Sequence, residues 1–371
     1  MSTTAEVSTQ SSNDPAKIIA NRYYGILYFD VKNGNPNGDP DADNAPRTTP
    51  QGKGLCSDVK IKRAIRNYVQ LRNGGVSRYE IYVKDGSVLA NTQAETRKQA
   101  GLEVFEPSDF EIPEDLVSEI ESLPTSDGGM VVNGNILRIE NEDRSSVEEW
   151  AKEFTGESSK KLKDFLKKSI GIAYKEKKGK SDKKKSVDSG RKAMCDRFFD
   201  VRAFGAVMSS APDCGKVTGP VQITFAESVH PIQPQMHSLT RMAIAKEDER
   251  NKTNHTFGRK WTVPYGLYKA EIFISPNLAS STGFTEGDLK VLWDAIYNMF
   301  EDDHSAARGS MSVRKLVVFK HDSPYGNAPS HKLAALVKEG CKVETPSSYS
   351  DYEISVAVDQ VPSGVTVTVI E

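Results

Sequence analysis

The run Arg22 to Val31 (R-Y-Y-G-I-L-Y-F-D-V) is aromatic or aliphatic at almost every position, so both of its faces have to be covered. That pattern predicts a central strand. The polarity then reverses. Asn33 to Gly54 concentrates Gly, Pro, Asn and Asp (N-G-N-P-N-G-D-P-D-A-D-N-A-P-R), residues that leave helices and ladders, and predicts a long exposed loop. Ser57 is a good N-cap for a helix in which Ile61, Ala64, Ile65 and Tyr68 recur at helical spacing. At 3.6 residues per turn, Lys60, Lys62, Arg63 and Arg66 fall on the opposite face, so the helix is apolar inward and cationic outward.

Farther along, Tyr79 to Lys84 and Ser87 to Ala90 flank Asp85-Gly86 and predict a hairpin. Residues 91–192 alternate acidic, weakly helical and Lys-rich stretches and are expected to form a long insertion without a second core. Arg197 to Met208 and Gly219 to Ser228 are strand-like, and residues 230–262 form an irregular polar run. Tyr265 to Ser275 is another strand. Thr285 caps a second amphipathic helix that turns Leu289, Leu292, Trp293, Ile296 and Phe300 inward, and Val313 to Lys320 follows as a strand. Tyr352 to Ile370 reads as a final hairpin. Without the insertions the order is that of a split βαβ arrangement, which predicts an α+β fold of the RRM/ferredoxin-like kind. The stretches at about 91–192 and 230–262 are then insertions in a single domain spanning 21–371.

Composition narrows the class. The 371 residues are 37% hydrophobic and 27% charged, as in a globular protein, and no apolar run is long enough for a bilayer. Residues 1–20 are Ser/Thr-rich, lack the basic and apolar segments of a signal peptide, and are expected to be a disordered tail. Cys56, Cys195, Cys214 and Cys341 are scattered, which fits a reducing cytoplasm and does not fit structural zinc. The net charge of -2 conceals a segregation: 17 Asp/Glu against 5 Lys/Arg from Asn91 to Ser159, then 14 Lys/Arg against 4 Asp/Glu from Lys160 to Lys192. A near-neutral total therefore does not argue against a nucleic-acid partner, because placement of charge decides binding.

Four cations on one helix face match the spacing of phosphates along a single strand, a contact that positions RNA without reading sequence. Asn35, Asn37 and Arg47 in the preceding loop are candidates for further contacts. Asp39, Asp41 and Asp43 imitate the start of a calcium loop, but Asn44 stands at the glycine position and Pro50 where the closing carboxylate belongs. A looser magnesium site for RNA cleavage, using one of these aspartates, is the alternative chemistry. Gly52-Lys53-Gly54 has neither Walker nor dinucleotide spacing, and the six histidines show no catalytic or zinc-binding pairing. Neither a cofactor nor a metal is expected. Gly258-Arg259-Lys260-Trp261 joins cations to an aromatic ring, a pairing suited to stacking and phosphate contact.

These residues carry a family resemblance. F-D-V-K-N-G-N-P-N-G-D-P-D-A-D-N from Phe29 and S-D-V-K-I-K-R-A-I-R from Ser57 resemble the backbone subunit of type I-C CRISPR Cascade, of the RAMP superfamily. D-R-F-F-D-V-R-A-F-G-A-V-M-S from Asp196, G-P-V-Q-I-T-F-A from Gly219, T-V-P-Y-G-L-Y from Thr262 and S-A-A-R-G from Ser305 agree with it. The resemblance implies an RRM-like palm with a finger-like insertion at about 91–192 and a thumb-like one at about 230–262, in copies stacked head-to-tail along a guide RNA (crRNA), with target DNA chosen by base pairing and other Cascade subunits (crRNA-processing, large and small) as partners. It implies an RNA-gripping helix at Ser57, Lys62, Arg63 and Arg66, an adjoining loop at Asn35 and Asn37, and a thumb near Met236, Arg259 and Lys260. It also implies a non-catalytic role without a membrane. The alternatives are a metal-dependent backbone subunit that cleaves RNA with Asp39 or Asp41, and a generic single-stranded RNA binder.

Overall fold

The computed structural model describes residues 14–102, 108–121, 130–140, 144–155, 158–174, 183–210, 212–241 and 256–371. The chain divides into two compact units, one made of Met1–Ile81, Arg202–Phe204 and Thr218–Glu371, the other of Tyr82–Val201 and Gly205–Val217. Within the first unit the main strands and helices are, in chain order, β1 (Tyr23–Gly34), β2 (Lys53–Cys56), α1 (Asp58–Asn73), β3 (Val221–Ile223), β4 (Ala226–Pro231), β5 (Gln235–Arg241) and β6 (Thr256–Ile274). After these come α2 (Glu286–Asn298), β7 (Ser310–His321), β8 (Val337–Cys341), β9 (Tyr352–Val356) and β10 (Val365–Ile370).

The main sheet has the order β10-β7-β1-β6-β4-β2 and is antiparallel throughout; β3 and β5 also pair with β6. β1 is central, with Leu27 opposite Ala270 on one side and Leu316 on the other. The strands β7-β1-β6-β4, with α1 following β1 and α2 following β6, reproduce the split βαβ order expected of the palm. Ile26, Leu27, Tyr28 and Phe29 are all fully buried, because both faces of β1 are covered, as its unbroken apolar string requires. On the helix-covered face, Phe29 stacks on Tyr268 at 5.4 Å and meets Phe300 at 5.2 Å, while Tyr23 meets Trp293 edge-on at 6.5 Å. On the other face Tyr24, Ile26, Tyr28, Leu267, Val317 and Phe319 lie beneath Leu333, Val337, Tyr352 and Ile354, so the β8-β9 hairpin roofs the sheet.

α2 starts as predicted. The Thr285 hydroxyl accepts from the Asp288 N–H at 3.2 Å and the Asp288 carboxylate accepts from the Thr285 N–H at 2.9 Å, a complete capping box. Asp288 is fully buried and also receives Arg202, through Nε at 2.9 Å and Nη2 at 2.7 Å, and Arg78 at 3.0 Å. Burial alone pushes the Asp288 carboxyl up, but the Arg202 hydrogen bonds and charge, the Thr285 N–H and the Arg78 charge outweigh it and hold it below its ordinary value.

Several expected elements differ. Asp85-Gly86 does turn, with Gly86 at φ 71°, but no hairpin forms there: the Tyr82 and Val83 N–H groups donate to the Asp200 carboxylate at 2.8 and 3.1 Å, so a side chain takes the place of a partner strand. Leu89–Gln99 is a helix. Residues 91–192 do not lack a core. In the second unit Leu137, Ile139, Val147, Trp150, Leu162, Leu166 and Ile170 pack together among a three-stranded sheet and two helices, and Tyr82, Met194, Phe198, Val201 and Met208 form another cluster. Arg197 to Met208 is mostly helical (Lys183–Arg197, then Phe199–Phe204), with a strand only at Gly205–Met208. Phe198, Phe199, Val201, Ala203 and Phe204 are all buried, and a short apolar run covered on all sides carries no period that separates helix from strand.

The polar run at 230–262 is partly regular: β5 pairs with the start of β6 from Gln235↔Thr262 to Arg241↔Thr256. Every β5 residue is exposed, which removes the apolar alternation that marks a strand; residues 242–255 lie outside the described residues. β9 and β10 are not a hairpin, since β9 pairs with β8 and β10 with β7. The expected tail at 1–20 is docked from Asp14 onward: Ile19 is 2% exposed, Ile18 bridges Thr285, and the Gly287 N–H donates to the Pro15 carbonyl at 3.0 Å. Residues 1–13 lie outside the described residues. All four cysteines are free, and burial pushes the Cys56 thiol up to about 12. Among the described residues no helix is long and apolar enough to cross a membrane.

Candidate nucleic-acid interface

The site is assembled where β1 ends. Gly34 lies so close to the segment before β7 that a Cβ there would stand 1.7 Å from the Arg308 carbonyl oxygen, and Gly309 faces it at φ 62°. The Asn35 N–H then donates to the Ala307 carbonyl at 2.8 Å. Gly34→Ala is expected to lower stability by about 1–3 kcal/mol, the usual cost of forcing volume into a packed site, read as a fall in the urea midpoint.

From there the loop folds back on the start of α1. Asn35 is buried; its Nδ2 donates to the Asn44 carbonyl at 2.7 Å, and its Oδ1 is buried with no partner among the described residues. Asn37 Oδ1 accepts from the Ser57 N–H at 2.8 Å, and Ser57 Oγ caps α1 by accepting from the Lys60 N–H at 3.3 Å. The Arg47 N–H donates to the Asn37 carbonyl at 3.3 Å, and the Arg47 carbonyl accepts from Leu55 at 2.8 Å. Asn35, Asn37, Arg47 and Ser57 are thereby brought together at the positive end of a 16-residue helix.

The helix cations have different attachments. Lys60 donates to Asp303 at 2.6 Å, and this pair is largely buried, with Asp303 5% exposed. Asp303 also holds Arg308, so Lys60 fastens α1 to the Ser305–Gly309 segment. Lys62 pairs with Asp58 one turn back at 2.8 Å and lies 5.9 Å from the Phe204 ring; Arg66 lies 5.3 Å from the same ring. Arg63 is half-buried and makes no hydrogen bond or ion pair among the described residues.

Arg259, on the arm formed by β5 and β6, pairs with Asp43 at 3.3 Å, and Arg47 pairs with Asp39 at 3.1 Å. The Arg259 pair is exposed and the Arg47 pair half-buried; surface pairs of this kind are worth at most about 1 kcal/mol, so an anionic ligand can displace their carboxylates at small cost. Met236 is 48% exposed opposite Trp261, and Lys260 sits opposite His237, so the three predicted thumb residues share one arm. Asp39 Oδ1 also accepts from the Asp41 N–H at 3.2 Å. Among the described residues no group of three or more His, Cys, Asp or Glu is arranged to hold a metal ion.

Sequence reasoning missed Asp303, Arg308 and Phe204. Arg308 stands in the S-A-A-R-G string and Phe204 in the string from Asp196, which gave their positions but no role; Asp303 carried no signal, because only the fold brings it to α1.

These features define an RRM-like α+β palm with an inserted unit, a hairpin arm and a cationic helix whose start is clamped by a polar loop. The chain belongs to the Cas7 family: the model for CRISPR-associated protein Cas7 matches residues 21–127 and 130–357. A curated relative, CRISPR-associated protein Cas7 of Haloferax volcanii, is 31% identical over 129 residues, which is 34% of this chain and 36% of that protein, so the match spans about a third of the relative's length. Among solved structures, a chain of a CRISPR RNA-guided surveillance complex (pre-nicking) is 14% identical with a TM-score of 0.43, covering 80% of this chain and 78% of that one. A chain of a type III-B Cmr-beta complex bound to cognate target RNA is 9% identical with a TM-score of 0.34, covering 80% and 61%.

Proposed function

We propose that this protein is a crRNA-binding backbone subunit whose copies assemble head-to-tail along the guide RNA of a type I, and specifically type I-C, CRISPR effector complex that recognises target DNA. The observation that carries the reading is the cation set of α1: the helix holds five cations and one acid, its start is clamped by Asn37 and Ser57, and the half-buried Arg63 makes no hydrogen bond or ion pair among the described residues. Membership of the Cas7 family supports it. Phosphates of a single strand run past Lys62, Arg63 and Arg66, with Arg47 and Arg259 recruited from their ion pairs at the surface, while Lys60 acts by positioning the helix. Met236 and Lys260 on the arm complete the grip, and base pairing supplies sequence choice. The loop aspartates serve as carboxylates that phosphates displace, so the subunit binds RNA without cleaving it. The other partners are the crRNA-processing, large and small subunits of such a complex, in the cytoplasm.

The test is purification with and without a co-expressed repeat-spacer transcript, recording absorbance ratio, particle size and RNA length. Large particles holding RNA of defined length are expected. RNA-free monomers in both preparations would overturn the reading, and magnesium-dependent RNA cleavage lost in Asp39→Ala or Asp41→Ala would overturn its non-catalytic part.

A further inference from the structure

The two edges of the main sheet are finished differently. At one of them β2 is covered: the Leu55 N–H donates to the Arg47 carbonyl at 2.8 Å, the Thr49 N–H donates to the Lys53 carbonyl at 2.7 Å, and Thr48 bridges Gly54. The loop that clamps α1 therefore also closes that edge. At the other, β10 pairs with β7, and among the described residues no strand lies along its outer side. Proteins ordinarily guard an open edge with a charged side chain, a proline or a bulge. β10 has none of these: Val365–Ile370 reads V-T-V-T-V-I, and its register against β7 runs from Leu316↔Ile370 to His321↔Val365 without a shift.

The Asp322 N–H donates to the Gly364 carbonyl at 2.9 Å, which sets the alternation of the ladder. Gly364, Thr366, Thr368 and Ile370 turn their backbone groups toward β7, and Val365, Val367 and Val369 turn theirs outward. The Val365 N–H is taken by the Pro362 carbonyl at 3.1 Å. The N–H groups of Val367 and Val369 and the carbonyls of all three valines are left for a partner strand. The side chains of these valines lie on the face of Val317 and Phe319, which stand opposite Val369 and Val367, at the rim of the cluster roofed by the β8-β9 hairpin. Val365 and Val367 are half-buried there and Val369 is 38% exposed.

We propose that β10 pairs antiparallel with β10 of a second copy of the chain, about a twofold axis at Val367, so that two main sheets join edge to edge. The strand itself selects this occupant, because it is complementary to itself in that register. Val367 meets Val367, Val365 meets Val369 and Thr366 meets Thr368, like facing like on both faces, and such cross-strand pairs of β-branched residues are stabilising. The same axis sets the outward-turned backbone groups against one another. The two Val367 residues exchange N–H and carbonyl, and each Val369 N–H reaches the Val365 carbonyl of the other copy. Glu371 falls opposite Ser363, so no like charges meet. The contact is isologous and closes at two copies, unlike a head-to-tail array, and it does not rest on the RNA-binding reading.

The test is sedimentation equilibrium of the full chain without RNA. The weight-average mass is expected to rise from 40.9 kDa by about 1.5-fold or more between about 2 and 200 µM, as for a contact of the small, transient class. Val367→Lys sets two cations face to face on the axis and is expected to hold the mass at that of one copy. Register is read by mild oxidation in a Cys341→Ser background, where the remaining native cysteines are buried. Val367→Cys is expected to cross-link to its own copy, because residues opposed in a hydrogen-bonded pair have Cα atoms about 5.5 Å apart, within the roughly 4.4–6.8 Å that a disulfide spans. Val365→Cys and Val369→Cys are each expected to stay uncross-linked alone and to link when mixed. A mass that stays at one copy's over the whole range overturns the proposal and leaves the edge to a different protein. Dimers in which Val367→Cys does not cross-link, or in which Val365→Cys links to itself as readily, place the contact on another surface and also overturn it.

Discussion

Asp288→Ala is expected to destabilise the first unit by about 3–5 kcal/mol, the cost of leaving a buried charge without its partner. The carboxylate lies at 0% exposure and so does the Arg202 guanidinium it neutralises, so removing it strands a cation that no water reaches. The same carboxylate caps α2 and receives Arg78, so three elements loosen together. The measurement is urea unfolding in a Trp150→Phe background, where the remaining Trp261 and Trp293 both report on the first unit. With an m value of about 1–3 kcal/mol/M, the midpoint is expected to fall by at least about 1 M. Arg202→Met combined with Asp288→Leu is expected to recover a good part of the loss, because replacing both charges removes the desolvation penalty along with the pair. A midpoint within about 0.3 M of the parent for Asp288→Ala would show that the pair is not holding the unit together. The pH dependence has a definite sign. Asp288 has a lowered pKa in the fold, so its contribution is fully present above the ordinary carboxylate value of about 3.9 and is lost as pH falls through the folded value.

How much of this was legible in the sequence depended on whether a segment's periodicity belonged to one partner. β1, α1 and α2 were legible because the palm covers them in the ordinary way: an unbroken apolar string for a strand packed on both faces, and a three-to-four spacing for helices packed on one. α1 runs from Asp58 to Asn73 with Ile61, Ala64, Ile65 and Tyr68 buried, as the spacing required. The β5-β6 arm was illegible because β5 is exposed at every position, and a strand with both faces in solvent has no reason to alternate. The second unit was misread for a related reason: its charge run dominates the composition, yet Leu162, Leu166 and Ile170 are enough to bury one face of a Lys-rich helix. At the site, residues adjacent in sequence were found and those supplied by distant segments were not. Ser57 and Asn37 are 20 positions apart and share one loop, whereas Asp303 reaches Lys60 across 243.

That division among the α1 cations makes the second large effect specific to a residue. Arg63→Glu is expected to weaken binding of single-stranded RNA by about 10- to 100-fold at 0.1 M salt, because it replaces a charge-assisted phosphate contact with repulsion and breaks no ion pair among the described residues. Lys60→Ala is expected to act through stability, since it leaves the buried Asp303 with one cation fewer. Arg72→Glu, at the far end of the helix beside Tyr68, is expected to change affinity by less than about threefold at the same salt. The salt dependence separates a phosphate contact from a folding defect. Each contact to a single strand adds about 0.7 to the slope of log affinity against log salt, so Lys62, Arg63 and Arg66 changed together to alanine are expected to flatten it by about 2. Measured by fluorescence anisotropy with a labelled unstructured RNA between 50 and 400 mM salt, an unchanged slope in the triple variant would move the phosphate path off α1. The Arg47 and Arg259 pairs would then carry it, and Arg47→Ala with Arg259→Ala would flatten the slope in its place.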